Sequence, residues 1–299
     1  MTEPFLKSMG KGRLIAILLF LIPQNAPSQS TNQIRSFADS LFREEDYYRA
    51  ITEYKRFIFL YPKHSQSDET KFLIGFSYLK GEKWDAALRY FSAFSEKESR
   101  FSEKAEFLIG QTHFLANRHP TARTQWQEFL EKYPKSRLID AAHYQRGFSF
   151  FLEEELERSR EAFKKVTAIA SKEHAGKMIE EIDRWGDHPS RSPLLAGIMS
   201  AIFPGSGQWY TGRFWDGLSA LVINGIFIYG IYASFDAELY AAGGILAFFG
   251  TGFYGGNIFS AVSGAYKFNR NIKESQRQRL KSQHRLNLEW SGSSLTLYF

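Results

Sequence analysis

EKAEFLIGQTHFLANRHPTARTQWQEFLEKYPKS, residues 103–136, sets Gly110 inside an apolar helical-spaced stretch and follows it with Ala122, Trp126, Phe129 and a closing Pro134. The same arrangement recurs along the chain. Aromatic residues Tyr54, Phe91, Trp126 and Phe163 stand 37, 35 and 37 residues apart, and small residues Ala38, Gly75, Gly110 and Gly147 keep the same rhythm. A period of this length is one helix-turn-helix unit that cannot bury its apolar face alone, so copies must stack.

Registered on the small residues, the units run over 31–64, 68–101, 103–136 and 140–173. The second helices share one pattern: Ala50, Tyr54 and Phe57 before Pro62; Ala87, Phe91 and Phe94; Ala122, Trp126 and Phe129 before Pro134. This resembles the tetratricopeptide repeat over about half of the chain. Gly inside a helix costs roughly 1 kcal/mol against Ala, so Gly75, Gly110 and Gly147 in register point to close backbone approach, with the aromatics filling the gap to the neighbouring unit. The fourth unit departs: Ser159 stands where Ala is expected, beside the charged run Glu153-Glu154-Glu155-Leu156-Glu157. Residues 171–184, with Ile179 and Ile182 on one face, read as a capping helix stopped by Gly186 and Pro189. The repeat domain with its cap covers 31–186.

The resemblance implies a binding wall formed by the second, fifth, ninth and twelfth positions of each first helix. Those positions include Phe72, Phe76, Phe107, Gln111, Phe114, Tyr144, Phe148 and Phe151. Such a groove suits an amphipathic helix or extended segment with large side chains. The Lys/Asn set with which some relatives hold a terminal carboxylate is absent.

With 299 residues, 43% of them apolar, the chain can hold two modest domains. Its net charge of +6 is carried by residues 267–285, whose seven Lys/Arg face one acid, Glu274. The remainder is balanced, which argues against a nucleic-acid face on the repeats. Cysteine is absent, excluding disulfides, thiol catalysis, zinc fingers and an N-terminal lipoprotein anchor. That last absence separates the chain from the lipid-anchored repeat proteins of outer-membrane assembly, whose repeat spacing is similar.

Lys7, Lys11 and Arg13 precede the apolar run 14–22, then Pro23 and Ala26-Pro27-Ser28. This pattern predicts a signal peptide over 1–28, with an uncleaved anchor as the alternative; either exports the repeats. From Pro193 the composition turns apolar, and residues 194–266 carry only Arg213, Asp216, Asp236 and Glu238 as charges. A membrane domain over 193–266 follows, with crossings at 217–235 and 239–266. Pro204-Gly205-Ser206-Gly207 must interrupt any helix over 194–210, which reads either as a broken third crossing or as a re-entrant segment. Exported repeats and a basic tail held inside by the positive-inside rule require an odd number. Three crossings are therefore expected, with the repeats in the periplasm of a bacterial envelope, the domain in the inner membrane and the basic tail, 267–285, in the cytoplasm.

The stretch Pro204-Gly205-Ser206-Gly207-Gln208-Trp209-Tyr210-Thr211-Gly212-Arg213 resembles the P-G-x-G-Q-x-Y-x-G-R entry of small bacterial membrane domains often joined to repeats. It implies architecture more than activity. Pro204, Gly205, Gly207, Gln208, Tyr210, Gly212 and Arg213 are its candidate residues, together with Asn224 and Asn257. In a helical hairpin these two amides come to similar depth and can hydrogen-bond as interhelical glue. Gly250-Thr251-Gly252-Phe253-Tyr254-Gly255 matches G-x-G-x-x-G without a strand before it, and the small-xxx-small pairs Gly252/Gly256 and Ser260/Gly264 predict helix packing. The alternating residues of 286–299 predict a short β-hairpin.

The seven histidines show no metal-ligand spacing, and no nucleophile, base and acid set is recognisable. The chain reads as all-α and non-enzymatic, without a cofactor: an exported repeat scaffold that binds a protein or peptide partner, held to the lipid bilayer by its membrane domain, with homo-oligomers open. The alternative is a transport or membrane-insertion accessory whose glycine-rich membrane domain carries the activity.

Overall fold

The computed structural model describes residues 31–298 apart from Lys97, Arg285, Gly292 and Ser293; the expected signal peptide over 1–28 lies outside the described residues. Thirteen helices and one two-stranded sheet are described, in two compact units that divide between Ser136 and Arg137.

The first unit is three helix-turn-helix pairs: α1 (Thr31–Arg43) with α2 (Tyr47–Leu60), α3 (Ser67–Lys80) with α4 (Trp84–Ser95), and α5 (Ser102–Leu115) with α6 (His119–Lys132). The second unit opens with a fourth pair, α7 (Ile139–Leu152) and the shortened α8 (Leu156–Lys164), on which the capping helix α9 (Ile169–Asp183) packs. Then come α10 (Pro193–Ile202), α11 (Ser206–Tyr210), α12 (Phe214–Asp236), α13 (Tyr240–Gln283) and the hairpin β1 (Asn287–Ser291) with β2 (Ser294–Tyr298). Its antiparallel register pairs Asn287 with Tyr298 and Ser291 with Ser294.

The repeat rhythm has a steric cause. A methyl group on Gly110 would lie 2.5 Å from Trp126 Nε1, one on Gly75 3.1 Å from the Phe91 ring, and one on Gly147 2.9 Å from Phe163. Each aromatic therefore sits on the small residue of its own pair, not in the gap to the next unit. Between pairs, other rings make the contact: Phe72 on α3 stacks on Phe101 at 5.1 Å, just ahead of α5. Full burial of one such side chain is worth about 1.5–3 kcal/mol.

The backbone repeats with the side chains. Each pair turns through a residue in the left-handed region, Glu45, Glu82, Asn117 and Glu154, with φ between 58° and 61°. These four share the 37, 35, 37 spacing and are a repeat signal that the aromatics alone do not reveal. Ser159 also finds its reason: its hydroxyl donates to the Gly147 carbonyl at 2.7 Å, so the small position of α8 is a buried hydrogen bond.

Charged groups reinforce the first unit. Arg35, only 7% exposed, donates to Asp39 and to Thr70, and Glu69 lies between Arg35 (3.6 Å) and Arg100 (3.1 Å). Because Arg35 is buried, removing one partner leaves an uncompensated charge.

Two substitutions separate packing from helix propensity. Gly110→Ala forces Cβ into Trp126 and is expected to cost about 1–3 kcal/mol, seen as a lower Tm of the full chain in detergent. Gly176→Ala, inside α9 where an added Cβ meets nothing within 4 Å, is expected to gain roughly 0.5–1 kcal/mol. A neutral Gly110→Ala would refute the close-approach account.

Candidate functional site

All eight side chains expected to line a partner groove are buried. Phe72, Phe76, Phe107, Tyr144 and Phe151 are 0% exposed, and Gln111, Phe148 and Phe114 are 1%, 2% and 8%. They form the core of the array. The physical reason is that α3, α5 and α7 are covered on almost every side, so aromatics at wall positions are packed against neighbouring helices. Exposed large apolar side chains of the first unit are Phe37 on α1 and a set on α2, where Tyr48 and Phe59 are 56% and 84% exposed and fall on one helical stripe, eleven residues apart.

The membrane-type motif, by contrast, assembles around one buried network. Pro193 begins α10, and the Ser192 side chain caps it by accepting from Leu195 N–H. Down its length α10 meets α13 in falling residue order: Arg191 exchanges two hydrogen bonds with Asn269, a Cβ on Gly197 would touch Val262, and Tyr254 donates to the Ala201 carbonyl. Pro204 ends the helix. Gly205 then takes φ +94°, with its missing Cβ 2.1 Å from the Gly217 carbonyl oxygen, and Gly207 passes equally close to the Ala196 oxygen. The chain climbs back through α11 until the Tyr210 hydroxyl accepts from the Ser192 N–H at 3.1 Å. Residues 192–210 thus form a hairpin, closed where the Tyr210 side chain returns to the start of α10.

Asn257 of α13 locks this hairpin. Its Oδ1 accepts from Gly205 N–H (3.3 Å) and Gln208 Nε2 (3.0 Å), while its Nδ2 donates to the Ser200 carbonyl (3.0 Å). Ser200 Oγ donates in turn to Gln208 Oε1 and accepts from Gly207 N–H. The expected Asn224–Asn257 bond is not formed, because Asn257 is fully engaged by residues of another element. Asn224 instead donates to the Ala220 carbonyl of its own helix at 2.7 Å. Ser200 is the functional residue that local pattern reading passes over; its position four residues ahead of Pro204 was the available signal.

Gln208, Arg213, Asn224 and Asn257 come together on one cavity of about 840 Å³ between α12 and α13, which Asp216, Ile223 and Phe253 also line. Gly252 and Gly256 line it too, and a Cβ added to either meets nothing within 4 Å. The spacing rule that assigned them to helix packing is therefore corrected: here the missing side chains widen a space. Close packing on α13 belongs to Gly243, Gly250 and Gly264, which face Phe235, Phe227 and Arg213. At the cavity's mouth Arg213 donates to Asp216 at 2.7 Å and to the Ser260 carbonyl at 2.9 Å.

Beyond Tyr266 the same helix runs on as the basic segment and meets the fourth pair. Glu154, in its left-handed turn, pairs with Lys273 and Arg277 at 2.6 Å each, and Glu181 of α9 pairs with Arg279 at 3.1 Å. These contacts place the basic segment against the fourth pair and its cap. Leu280 is fully buried at the junction, and the ring of buried His284 stands edge-on to His174 at 6.0 Å. Burial, then the charges of His174 and Lys177, hold His284 below the ordinary histidine value. The ion pairs, hydrogen bonds first, hold Glu154 below the usual carboxylate value.

Compared with known proteins, the chain matches a model of the tetratricopeptide repeat over residues 104–136. No curated protein matches it. The match covers one helix pair, and the pairs in register with it carry the same tetratricopeptide-like pattern along the array. Among the described residues no cluster of His, Asp and Glu could hold a metal ion.

Asn257→Ala strands two polar partners, the Gly205 N–H and the Ser200 carbonyl, while Gln208 keeps the Asn257 backbone carbonyl, and is expected to destabilise the chain by about 1–3 kcal/mol more than Asn224→Ala; equal effects on thermal unfolding would restore the direct amide pair. Acidification should loosen the docked segment in two windows. His284 takes its proton more readily unfolded, so stability falls as pH drops below about 6.5. Glu154 stabilises above its ordinary value, a contribution lost only as pH falls through its lowered one. Hydrogen exchange across 280–298 should show both steps, and His284→Leu should abolish the first alone.

Proposed function

We propose that the chain is a membrane-anchored adaptor: the repeats bind a protein partner, and α12 with α13 crosses the inner membrane of a bacterial envelope as a hairpin. The observation that carries the adaptor role is the tetratricopeptide match on a pair that recurs in register with its neighbours. The anchor rests on length and surface. Phe214–Asp236 and the apolar part of Tyr240–Gln283 are each long enough to cross, and Ile226, Tyr229 and Phe248 are 66%, 72% and 77% exposed. Water would not tolerate so continuous an apolar face. Trp215 and Tyr266 at one end and Tyr240 at the other suit the two interfaces of a bilayer.

Two crossings and a re-entrant hairpin keep the repeats and the basic segment in one compartment. The proposed compartment is the periplasm, on the strength of the signal-like N-terminal sequence. Neutralisation of Lys273, Arg277 and Arg279 by Glu154 and Glu181 weakens the cytoplasmic pull of that segment. The proposed partner surface is the exposed α2 stripe of Tyr48 and Phe59. A second reading, in which the membrane domain acts on a membrane solute, is favoured by the polar-lined cavity.

The absence of native cysteine makes the topology directly testable. Lys172→Cys and Ser282→Cys should both react with an impermeant maleimide on intact spheroplasts, and Ala237→Cys only after lysis. Labelling of only one of the first two overturns the two-crossing fold; labelling of both only after lysis overturns the periplasmic assignment. For the adaptor role, a photo-crosslinking residue at Phe59 should give one discrete protein adduct in native membranes, reduced at least fivefold by Tyr48→Ser. No adduct at Phe59 or Tyr48 would sink the proposed surface.

A further inference from the structure

Besides the exposed Ser219 hydroxyl, the cavity between α12 and α13 carries three polar atoms that have no partner among the described residues. Arg213 spends Nε on Asp216 and Nη1 on Ser260, leaving Nη2; Asp216 spends Oδ2 and leaves Oδ1. Both side chains are accessible, 35% and 55%. Asn224 is 3% exposed and lines the cavity, and its Oδ1 is unmatched while Nδ2 bonds to Ala220. An amide oxygen that opens on this cavity without a donor costs free energy in a bilayer, where water is scarce. Something that donates a hydrogen bond is called for at that depth.

The order of these atoms along the cavity is informative. A donor and an acceptor of opposite charge stand side by side at the mouth. Two helical turns further on, roughly 12 Å at 1.5 Å per residue, comes the amide oxygen. Around and beyond it the lining is Ile223, Phe248, Phe249 and Phe253, with Thr251, whose hydroxyl is spent on the Ala247 carbonyl. Net charge at the mouth is zero, which matches a head group carrying both an anion and an ammonium. The volume, about 840 Å³, lies in the range of sites that take one small ligand, about 300–1,000 Å³.

We infer that this cavity binds a single-chain zwitterionic phospholipid with a free glycerol hydroxyl. Its phosphate meets Arg213 Nη2, its ammonium meets Asp216 Oδ1, its hydroxyl donates to Asn224 Oδ1, and its one acyl chain lies against the phenylalanines. Gly252 and Gly256 are part of the site because side chains there would occupy the chain's path without striking the protein. The inference rests on the membrane reading above. A chain released from membranes by carbonate without detergent sinks that reading first, whereas a detergent-requiring chain that fails the binding test sinks only this one.

The test uses the full chain in phosphatidylcholine nanodiscs, titrated with tritiated lysophosphatidylethanolamine. One saturable site per chain is expected. Gly256→Leu, or Gly252→Leu, should weaken it at least tenfold with an unchanged unfolding temperature, while Gly225→Leu, equally unobstructed but outside the cavity, leaves it intact. Asp216→Asn should shift preference toward lysophosphatidylglycerol by about tenfold. Equal competition by diacyl phosphatidylethanolamine overturns the hydroxyl assignment, and equal competition by lysophosphatidylglycerol in the wild type overturns the zwitterionic one. Binding that survives both cavity leucines overturns the site. A dimer that Gly256→Leu converts to monomer, without saturable lipid binding, would give the cavity to a second copy instead.

Discussion

Close backbone approach, made possible where a side chain is missing, is the constraint on which both halves of this chain depend. In the repeats, Gly75, Gly110 and Gly147 let an aromatic of the second helix lie directly on the first, and no larger residue fits. In the hairpin of residues 192–210, Gly205 and Gly207 bring two backbones within contact of carbonyl oxygens that any Cβ would strike. The helical cost of these glycines is offset by what the approach permits: fully buried aromatic rings in one case and a closed polar network in the other. Gly252 and Gly256 show the opposite use of the same residue, a helix face left empty.

Charge organises the second unit in a way that composition conceals. The excess of basic residues sits on one stretch, and that stretch is the continuation of a crossing-length helix rather than a free tail. Its partners, Glu154 and Glu181, come from the fourth pair and its cap. Exposed ion pairs of this kind contribute little individually, about 0–1 kcal/mol, but Leu280 and His284 are buried at the same junction and give the contact a dry centre. The acidic run that made the fourth repeat look irregular is the surface this helix uses.

Much of this was legible in the chain. The period, the helix pairs, the capping helix, the apolar hairpin and the terminal strands all follow from local spacing, because each is decided within about forty residues. What failed was decided by distant residues. Aromatics at wall positions read the same whether a groove is open or covered. Asn224 and Asn257 were matched by depth alone, but Asn257 is taken by Gly205, Gln208 and Ser200, some fifty residues away. Small-residue spacing cannot distinguish a contact from a gap. Composition likewise shows an unanswered basic stretch, whereas Lys273, Arg277 and Arg279 are answered by Glu154 and Glu181, about a hundred residues away.

The continuity of α13 ties these pieces mechanically. From Asn257, which holds the hairpin, to Arg279, which holds the cap, the chain is one unbroken helix of about 33 Å, without a proline or an irregular turn in it. A helix of this kind fixes position and does not by itself switch, since coupling requires an element with two arrangements. The fourth pair is therefore held at a set orientation to the cavity within this unit. Anything seated on Arg213, Asp216 and Asn224 also lies against α13, at Gly252, Gly256 and Ser260, and so bears on the helix that Asn257 anchors. The polar network around Gln208 makes displacing that anchor costly, because every member would lose a partner inside an apolar segment. The arrangement suits a resident ligand that completes the domain better than a transient one that signals through it.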